Sequence, residues 1–302
     1  MGWNRVLATA IASVLAGCVS NDPLVANRTG DQSSAYTVAG HGDPAIVFVS
    51  GAGESRLSWS PVFLALATDA TVFAYDRPGA GSNPNVPNAF TPDEDGLTST
   101  EEAVEHLRGL LADAGVAPPY VLVGHSLGGS YVLKFAQLHP DDVAGVVMID
   151  ARVPALQAQC FIEAPDYPEL CRPVALSAAV PAYVRAEIDG NLATETSGPA
   201  PEDLGDLPIA FIAAAQTTPR RTPRPAELAE MDPDVAERLR AASPGVFARI
   251  GEGFKTAQRN YAEAAANGRF IEVEDAGHHV HQDQPQLVID EIRALLERIR
   301  TE

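Results

Sequence analysis

One serine stands in a setting that could make it a nucleophile. The segment Gly124-His125-Ser126-Leu127-Gly128 follows an apolar run at residues 120–123 and precedes a helical pattern at residues 130–138. A serine hydroxyl is a weak nucleophile at neutral pH and needs a neighbouring base. A glycine-flanked turn between a strand and a helix can hold such a hydroxyl clear of its surroundings, in the arrangement called a nucleophile elbow. The pattern therefore predicts covalent catalysis through Ser126.

The elements that would position this turn alternate along the chain. Short β-branched or aromatic runs predict strands at residues 45–49, 71–75, 120–123, 145–149, 207–213 and 270–273. Four of these runs are apolar almost throughout, as expected of parallel strands buried on both faces. Helical patterns occupy residues 100–114, 130–138, 226–242, 246–266 and 285–299. The alternation predicts an α/β fold with a doubly wound, mostly parallel sheet, whose ligand binds beyond the carboxyl ends of the strands.

The composition excludes some functions. The chain has 302 residues, of which 46% are hydrophobic, enough for a full core. It has 21 Lys and Arg against 40 Asp and Glu, a net charge of -19. Such a chain repels nucleic-acid phosphates and anionic lipid head groups, so we expect no nucleic-acid partner. No cofactor is expected, and the cysteines predict no metal site because Cys160 and Cys171 have no histidine nearby in the sequence.

The first residues have the pattern of an export signal. One positive charge precedes an apolar stretch at residues 6–15, which is about half the length needed to span a bilayer. The tetrapeptide Leu15-Ala16-Gly17-Cys18 resembles the bacterial lipobox. This resemblance implies a signal peptide at residues 1–17, lipidation of Cys18, and a polar tether at residues 18–34. We expect an exported protein of the bacterial cell envelope that contacts the membrane only through its lipid anchor; an ordinary cleaved signal with an incidental cysteine is the alternative.

A long segment interrupts the alternation of strands and helices. Residues 152–206 contain many prolines and both Cys160 and Cys171. We expect this segment to be a lid inserted into a core formed by residues 35–151 and 207–302. An even pair of cysteines in an exported chain is expected to form a disulfide. Closing so short a loop would contribute about 2 to 3 kcal/mol to stability.

Four motifs, in order, resemble those of the α/β-hydrolase family, and the resemblance covers residues 36–302. Besides the elbow, Ser50-Gly51-Ala52-Gly53 lies where the family has its oxyanion loop, with Ser50 in the place of a common histidine. The segment Asp76-Arg77-Pro78-Gly79-Ala80-Gly81-Ser82 resembles the turn after the next strand. The segment Ala276-Gly277-His278, followed by Asp283-Gln284-Pro285, resembles the one that carries the catalytic histidine.

The resemblance implies a Ser-His-Asp triad with Ser126 as the nucleophile. His278 follows a glycine as in the family pattern and is therefore the expected base. His279 and His281 are the alternatives. A buried acid is needed to hold the base in the correct tautomer.

The position of that acid is less constrained. Many relatives place it after the strand predicted at residues 207–213, but no carboxylate follows that strand closely. Others place it at the end of the preceding strand, which implies Asp150. Glu227, Asp232 and Asp275 remain alternatives.

The same resemblance implies an oxyanion hole formed by the backbone amides of Ala52 and Leu127, each contributing about 3 kcal/mol or more to the transition state. We therefore expect a serine hydrolase that cleaves a small-molecule carboxylic ester through an acyl-enzyme on Ser126. Family members with an aspartate nucleophile, such as epoxide hydrolases, are excluded by the serine. Amidase, lactonase and acyltransferase activities remain open, as does a non-catalytic, lipid-anchored binding protein. The sequence does not indicate the oligomeric state.

Overall fold

A computed structural model describes residues 35–78, 80–81, 99–171, 184, 187–191, 198–215, 233–242 and 244–301. The predicted signal peptide, Cys18 and the whole of the predicted tether lie outside the described residues. Among the described residues, no helix combines the length and the apolar character needed to cross a membrane.

A seven-stranded sheet forms the centre of the fold. Its strands are β1 (Tyr36–Ala39), β2 (Ala45–Val49), β3 (Val72–Tyr75), β4 (Tyr120–His125), β5 (Val143–Ile149), β6 (Pro208–Ala214) and β7 (Asn267–Val273). The spatial order is β1-β3-β2-β4-β5-β6-β7, and all pairings are parallel except that of β1 with β3. The predicted α/β class with a doubly wound, mostly parallel sheet is therefore confirmed.

Helices cover both faces of this sheet. They are α1 (Ser60–Leu66), α2 (Thr100–Asp113), α3 (Gly128–Leu138), α4 (Leu156–Glu163), α5 (Pro233–Ala241), α6 (Pro244–Ala264), α7 (Val280–Asp283) and α8 (Pro285–Thr301). Apolar residues of α2, α3 and α6 share one core cluster with one face of the sheet. Residues of α1 and α8 share a second cluster with the other face. Because side chains alternate along a strand, β2 supplies Val47 to the first cluster and Phe48 to the second.

The segment expected to be a lid is described in part. It contains α4, a short 3-10 helix at Pro168–Cys171 and another at Pro201–Leu204. Cys160 on α4 is joined to Cys171 by a disulfide. Both half-cystines are buried in a small apolar cluster with residues of α5 and α6. The boundaries of the lid and of the core remain a prediction.

Candidate active site

Ser126 occupies a sharp turn between β4 and α3. Its backbone φ is 51°, an uncommon value for a residue other than glycine and one found often at functional sites. Two glycines make this turn possible: a Cβ on Gly124 would lie 2.8 Å from the carbonyl oxygen of Gly128, and one on Gly128 would collide with the carbonyl oxygen of Val49. Ser126 is half-buried between the buried residues His125 and Leu127. This is the geometry of a nucleophile elbow.

Asp150 lies at the end of the neighbouring strand. His125 and Ile149 are register partners on β4 and β5, so Ser126 and Asp150 follow adjacent strand ends. The amide of Ser126 donates to the carbonyl of Ile149 at 3.2 Å, and the amide of Asp150 donates to that of Ile212 at 2.8 Å. The Asp150 side chain is fully buried. Its Oδ1 accepts a hydrogen bond from the amide of Ala214 at 3.2 Å.

His278 contacts this carboxylate. Its Nδ1 is 2.7 Å from Asp150 Oδ2, which fixes a proton on Nδ1 and leaves Nε2 as the basic nitrogen. The imidazole side chain is 33% exposed while the carboxylate is inaccessible, so the pair joins the protein interior to the surface. The structure thus brings the predicted acid and the predicted base together.

Two further contacts hold the loop that carries His278. Its carbonyl oxygen is 2.9 Å from His125 Nε2, which connects it to the residue before Ser126. The amide of Gly277 donates to Asp283 Oδ2 at 2.8 Å. The second contact explains why the Asp-Gln-Pro segment accompanies the histidine motif: its carboxylate closes the loop.

The loop after β2 is held from below by Arg77. This buried guanidinium donates from Nη1 to the carbonyl of Ser50 at 2.7 Å and from Nη2 to that of Gly51. Its Nε donates to Glu187 Oε1 at 2.5 Å. Burial alone would lower the pKa of Arg77, but the Glu187 carboxylate raises it above its usual value. Arg77 therefore couples the predicted oxyanion loop to a residue of the predicted lid.

The neighbouring aspartate has a different partner. Asp76 is fully buried and forms an ion pair with Arg56, whose backbone amide also donates to Asp76 Oδ1 at 2.7 Å. A Cβ on Gly81 would crowd this carboxylate, which explains the glycine there. Gly79 and Ser82 of the same motif lie outside the described residues.

The amides predicted to form the oxyanion hole belong to two segments, the loop after β2 and the elbow. Ala52 follows the carbonyls that Arg77 binds, and Leu127 is the residue that precedes α3. Within the described parts of the chain, neither backbone N–H donates to another protein group. Both amides are therefore available to an oxygen of a bound substrate, and their role in the oxyanion hole remains a prediction.

The remaining histidines of this region surround Glu54. Its Oε2 is 3.0 Å from His125 Nδ1 and its Oε1 is 2.8 Å from His279 Nε2. Partial burial would raise the pKa of Glu54, but the close contacts with His125 and His279 lower it far below its ordinary value. Burial lowers the pKa of His125, and it lowers that of His281 to about 3.

The structure separates the three candidate bases. His279 is exposed and bound to Glu54, whereas His281 is fully buried with its ring centroid 4.4 Å from that of Trp59. Neither is within hydrogen-bond distance of Asp150, which contacts His278. Of the alternative acids, Asp275 is exposed, and Glu227 and Asp232 lie outside the described residues.

Sequence reasoning missed Glu54, Arg56 and Glu187. Glu54 follows the Ser-Gly-Ala-Gly motif directly, and this adjacency is the signal that could have identified it. Arg56 and Glu187 contact partners 20 and 110 positions away, and no local pattern announces such pairs.

Residues 46–291 match the model of the alpha/beta hydrolase family. Together with the sheet order and the elbow, this match shows that the chain belongs to the α/β-hydrolase family. The uncharacterized protein YqjL of Bacillus subtilis is 22% identical over 243 residues, which cover 80% of this chain and 79% of YqjL.

Other similarities are shorter or purely structural. The "Probable transporter efuK" of Hormonema carpetanum is 29% identical over 128 residues. The match spans 42% of this chain and 18% of efuK. A thermophilic esterase from Thermogutta terrifontis superposes with a TM-score of 0.56 at 20% identity, over 88% of this chain and 93% of that one. At this identity the likeness shows the fold alone.

Proposed function

We propose that this protein is a serine hydrolase that cleaves carboxylic esters through an acyl-enzyme on Ser126. The observation that carries the proposal is the 2.7 Å contact between His278 and the buried Asp150, at the strand end next to the Ser126 elbow. A buried carboxylate that orients an imidazole, beside a hydroxyl held out on a strained turn, is the arrangement that activates a serine.

The reaction follows from the roles of these groups. Ser126 Oγ attacks the acyl carbon while His278 Nε2 accepts its proton, and Asp150 stabilises the imidazolium that forms. The amides of Ala52 and Leu127 stabilise the oxyanion of the tetrahedral intermediate. When the intermediate collapses, the ester C–O bond breaks and His278 returns the proton to the leaving alcohol.

The second half of the cycle releases the acid. Water attacks the acyl-enzyme while His278 Nε2 takes one of its protons, and a second tetrahedral intermediate forms. Its collapse breaks the bond between Ser126 Oγ and the acyl carbon, with the proton returned to the serine. The products are one alcohol and one carboxylic acid, and no cofactor takes part in these steps.

A substrate panel tests this proposal. We expect the wild type to hydrolyse p-nitrophenyl esters, with a dependence on acyl chain length set by the segment at residues 152–206. We expect it to act more slowly on two further series, matched p-nitroanilides and lactones. Ser126→Ala should lower kcat by about 10⁶. Ser130→Ala is the matched control, because Ser130 lies on α3 with its hydroxyl directed to Asn191 at 3.3 Å.

The outcomes of this panel separate the related activities. Faster turnover of the anilides would replace the proposal with an amidase, and turnover of lactones alone with a lactonase. Ester turnover that Ser126→Ala leaves intact would contradict the proposed nucleophile. Absence of turnover across all three series would favour a binding protein on this fold.

We also propose that the protein is exported and held in the bacterial cell envelope by lipid on Cys18. The lipobox-like segment supports this proposal, and so does the Cys160–Cys171 disulfide, since disulfides persist in oxidising compartments. Metabolic labelling with a fatty acid should mark the wild type and leave Cys18→Ala unmarked. An unlabelled wild type, or Cys18→Ala still retained on membranes, would contradict the anchor.

A further inference from the structure

We propose that Glu54, His125 and His281 form a binding site for one divalent transition-metal ion of the zinc class. The site lies directly behind the loop that carries His278. The site shares no residue with the proposed triad, so metal binding can be tested independently of ester hydrolysis. The spacing of the cysteines predicted no metal site because it cannot reveal a cluster assembled from distant loops.

The three side chains are already close enough to share an ion. One ligand atom from each, a ring nitrogen or a carboxylate oxygen, lies within 4.8 Å of the others. His125 Nδ1 and Glu54 Oε2 are 3.0 Å apart. A tetrahedral ion with bonds of 2.0–2.1 Å holds its ligand atoms about 3.3 Å apart. Small side-chain movements would therefore complete the site, and two histidines with one glutamate are a common ligand set for zinc.

The hydrogen bonds of His125 leave a lone pair at the centre of this cluster. Its Nε2 faces the carbonyl oxygen of His278 at 2.9 Å, and because a carbonyl can only accept, Nε2 must carry a proton. In the neutral ring Nδ1 is then an acceptor, and it faces a carboxylate oxygen, which is also an acceptor. Two acceptors therefore face each other at 3.0 Å, which is an electrostatic conflict. A cation between the two atoms resolves it.

His125 also has the outer contact that a metal ligand needs. Histidines that bind metals donate their second ring N–H to a backbone carbonyl or a carboxylate, which fixes the tautomer and the ring orientation. The contact with the His278 carbonyl has this form.

His281 adds an independent observation. It is fully buried, and its Nδ1 has no hydrogen-bond partner in the part of the chain that the structure describes. Among the residues that the structure describes, the one contact of its Nε2 is a long one, 3.5 Å, to the side-chain amide nitrogen of Gln282. A buried polar atom without a partner is costly, so its presence calls for an explanation. Ligation by His281 provides one, with His279 close enough to hold the second oxygen of Glu54.

A bound ion would join three segments that adjoin the active-site loops. Glu54 follows the loop with Ala52, His125 precedes Ser126, and His281 lies three residues after His278. The ion would have a positioning role, because it would fix these loops relative to one another without touching the reacting atoms.

Tryptophan fluorescence provides a direct measurement. The chain has two tryptophans, and Trp3 lies in the predicted signal peptide, so Trp3→Phe makes Trp59 the sole reporter whether or not that peptide is removed. The ring centroid of Trp59 is 4.4 Å from that of His281. We would remove metals from the full chain with a chelator and titrate it with Co²⁺. We expect saturable quenching at one equivalent, visible absorption typical of tetrahedral Co²⁺, and reversal of both signals by Zn²⁺.

Two variants assign the ligands. Glu54→Gln preserves the size of the side chain and should weaken Co²⁺ binding by at least about 100-fold, the upper range for loss of an outer contact. His139→Gln is the matched control: His139 also pairs with a glutamate, Glu105, at 2.7 Å, but it belongs to no three-residue ligand group among the described residues. Zn²⁺ should raise the melting temperature of the wild type and of His139→Gln, and should leave that of Glu54→Gln unchanged.

The wild-type titration decides the question even if a variant fails to fold. Quenching that does not saturate near one equivalent would overturn the proposal and leave a hydrogen-bonded imidazolium–carboxylate cluster. Equal loss of affinity in Glu54→Gln and His139→Gln would also overturn it. Neither readout depends on ester hydrolysis, so failure of the metal site is distinguishable from failure of the proposed activity.

Discussion

Replacement of Asp150 by asparagine changes one atom of the proposed triad and leaves its packing intact. Asp150 Oδ1 accepts from the amide of Ala214 at 3.2 Å and from Gln258 Nε2 at 3.4 Å. These donors will keep the asparagine oxygen on their side, so its NH₂ group will face His278 Nδ1. That nitrogen must then accept a hydrogen bond, and the ring proton moves to Nε2. The imidazole in this tautomer cannot take a proton from Ser126.

The magnitude follows from the loss of the base. The same exchange in a Ser-His-Asp triad lowers kcat by about 10⁴. At 1.36 kcal/mol for each factor of ten, this is about 5.4 kcal/mol of activation free energy. The unfolding free energy should change by no more than about 2 kcal/mol, because the hydrogen bonds to Oδ1 are retained. The φ of 39° at this position also suits asparagine, which tolerates left-handed backbone.

Steady-state kinetics on the best p-nitrophenyl ester, with urea denaturation as the folding control, would measure both quantities. Asp275→Asn is the matched exchange, since Asp275 is an exposed carboxylate close to His278 in sequence. We expect it to retain activity within about twofold, as most surface substitutions do. Folded Asp150→Asn with more than about a tenth of wild-type kcat, or an equal loss in Asp275→Asn, would refute the assignment of the acid.

Three further predictions concern the supports of the site. Arg77→Ala leaves the Glu187 carboxylate buried without its guanidinium partner and should lower the unfolding free energy by about 3 to 5 kcal/mol, whereas Glu187→Gln should lower it less. Urea denaturation of both variants measures these losses, and equal small losses would contradict the importance of the ion pair. Gly128→Ala should cost about 1 to 3 kcal/mol and most of the activity, because its Cβ collides with a carbonyl oxygen of β2; an unchanged melting temperature and kcat would show that this contact can relax. Replacing Cys160 and Cys171 together by serine should lower the unfolding free energy by about 2 to 3 kcal/mol, which calorimetry can measure. A smaller loss would contradict the loop-closure argument.

The sheet was predictable where local sequence and tertiary structure agree. The buried parallel strands are continuous apolar runs, and five of the six predicted strands coincide with β-strands to within about two residues at each end. The last, predicted at residues 270–273, begins earlier, at Asn267. Its first residues have no apolar side chain and are not buried, so the apolar pattern did not reveal them. The edge strand β1 was missed, since it has four residues and pairs through one side only. The short helices α1 and α4 were missed as well, and α4 lies in the proline-containing segment that was expected to be a lid.

The site was predictable only in its local parts. The elbow serine and the histidine motif are sequence patterns, and Asp150 was reachable because it directly follows a predicted strand. Which of three nearby histidines would meet Asp150 depends on how the loop folds, and burial of His281 against Trp59 is a tertiary contact. The Arg77–Glu187 pair joins the core to a distant segment and could not be read from either sequence neighbourhood.

Covalent labelling with a fluorophosphonate, followed by mass spectrometry of the intact protein and its peptides, tests the central claim most directly. We expect one probe molecule per chain, attached to Ser126, no labelling of Ser126→Ala, and slow labelling of Asp150→Asn. A folded wild type that takes up no probe, or takes it up at another residue, would contradict the claim that the elbow hydroxyl is an activated nucleophile.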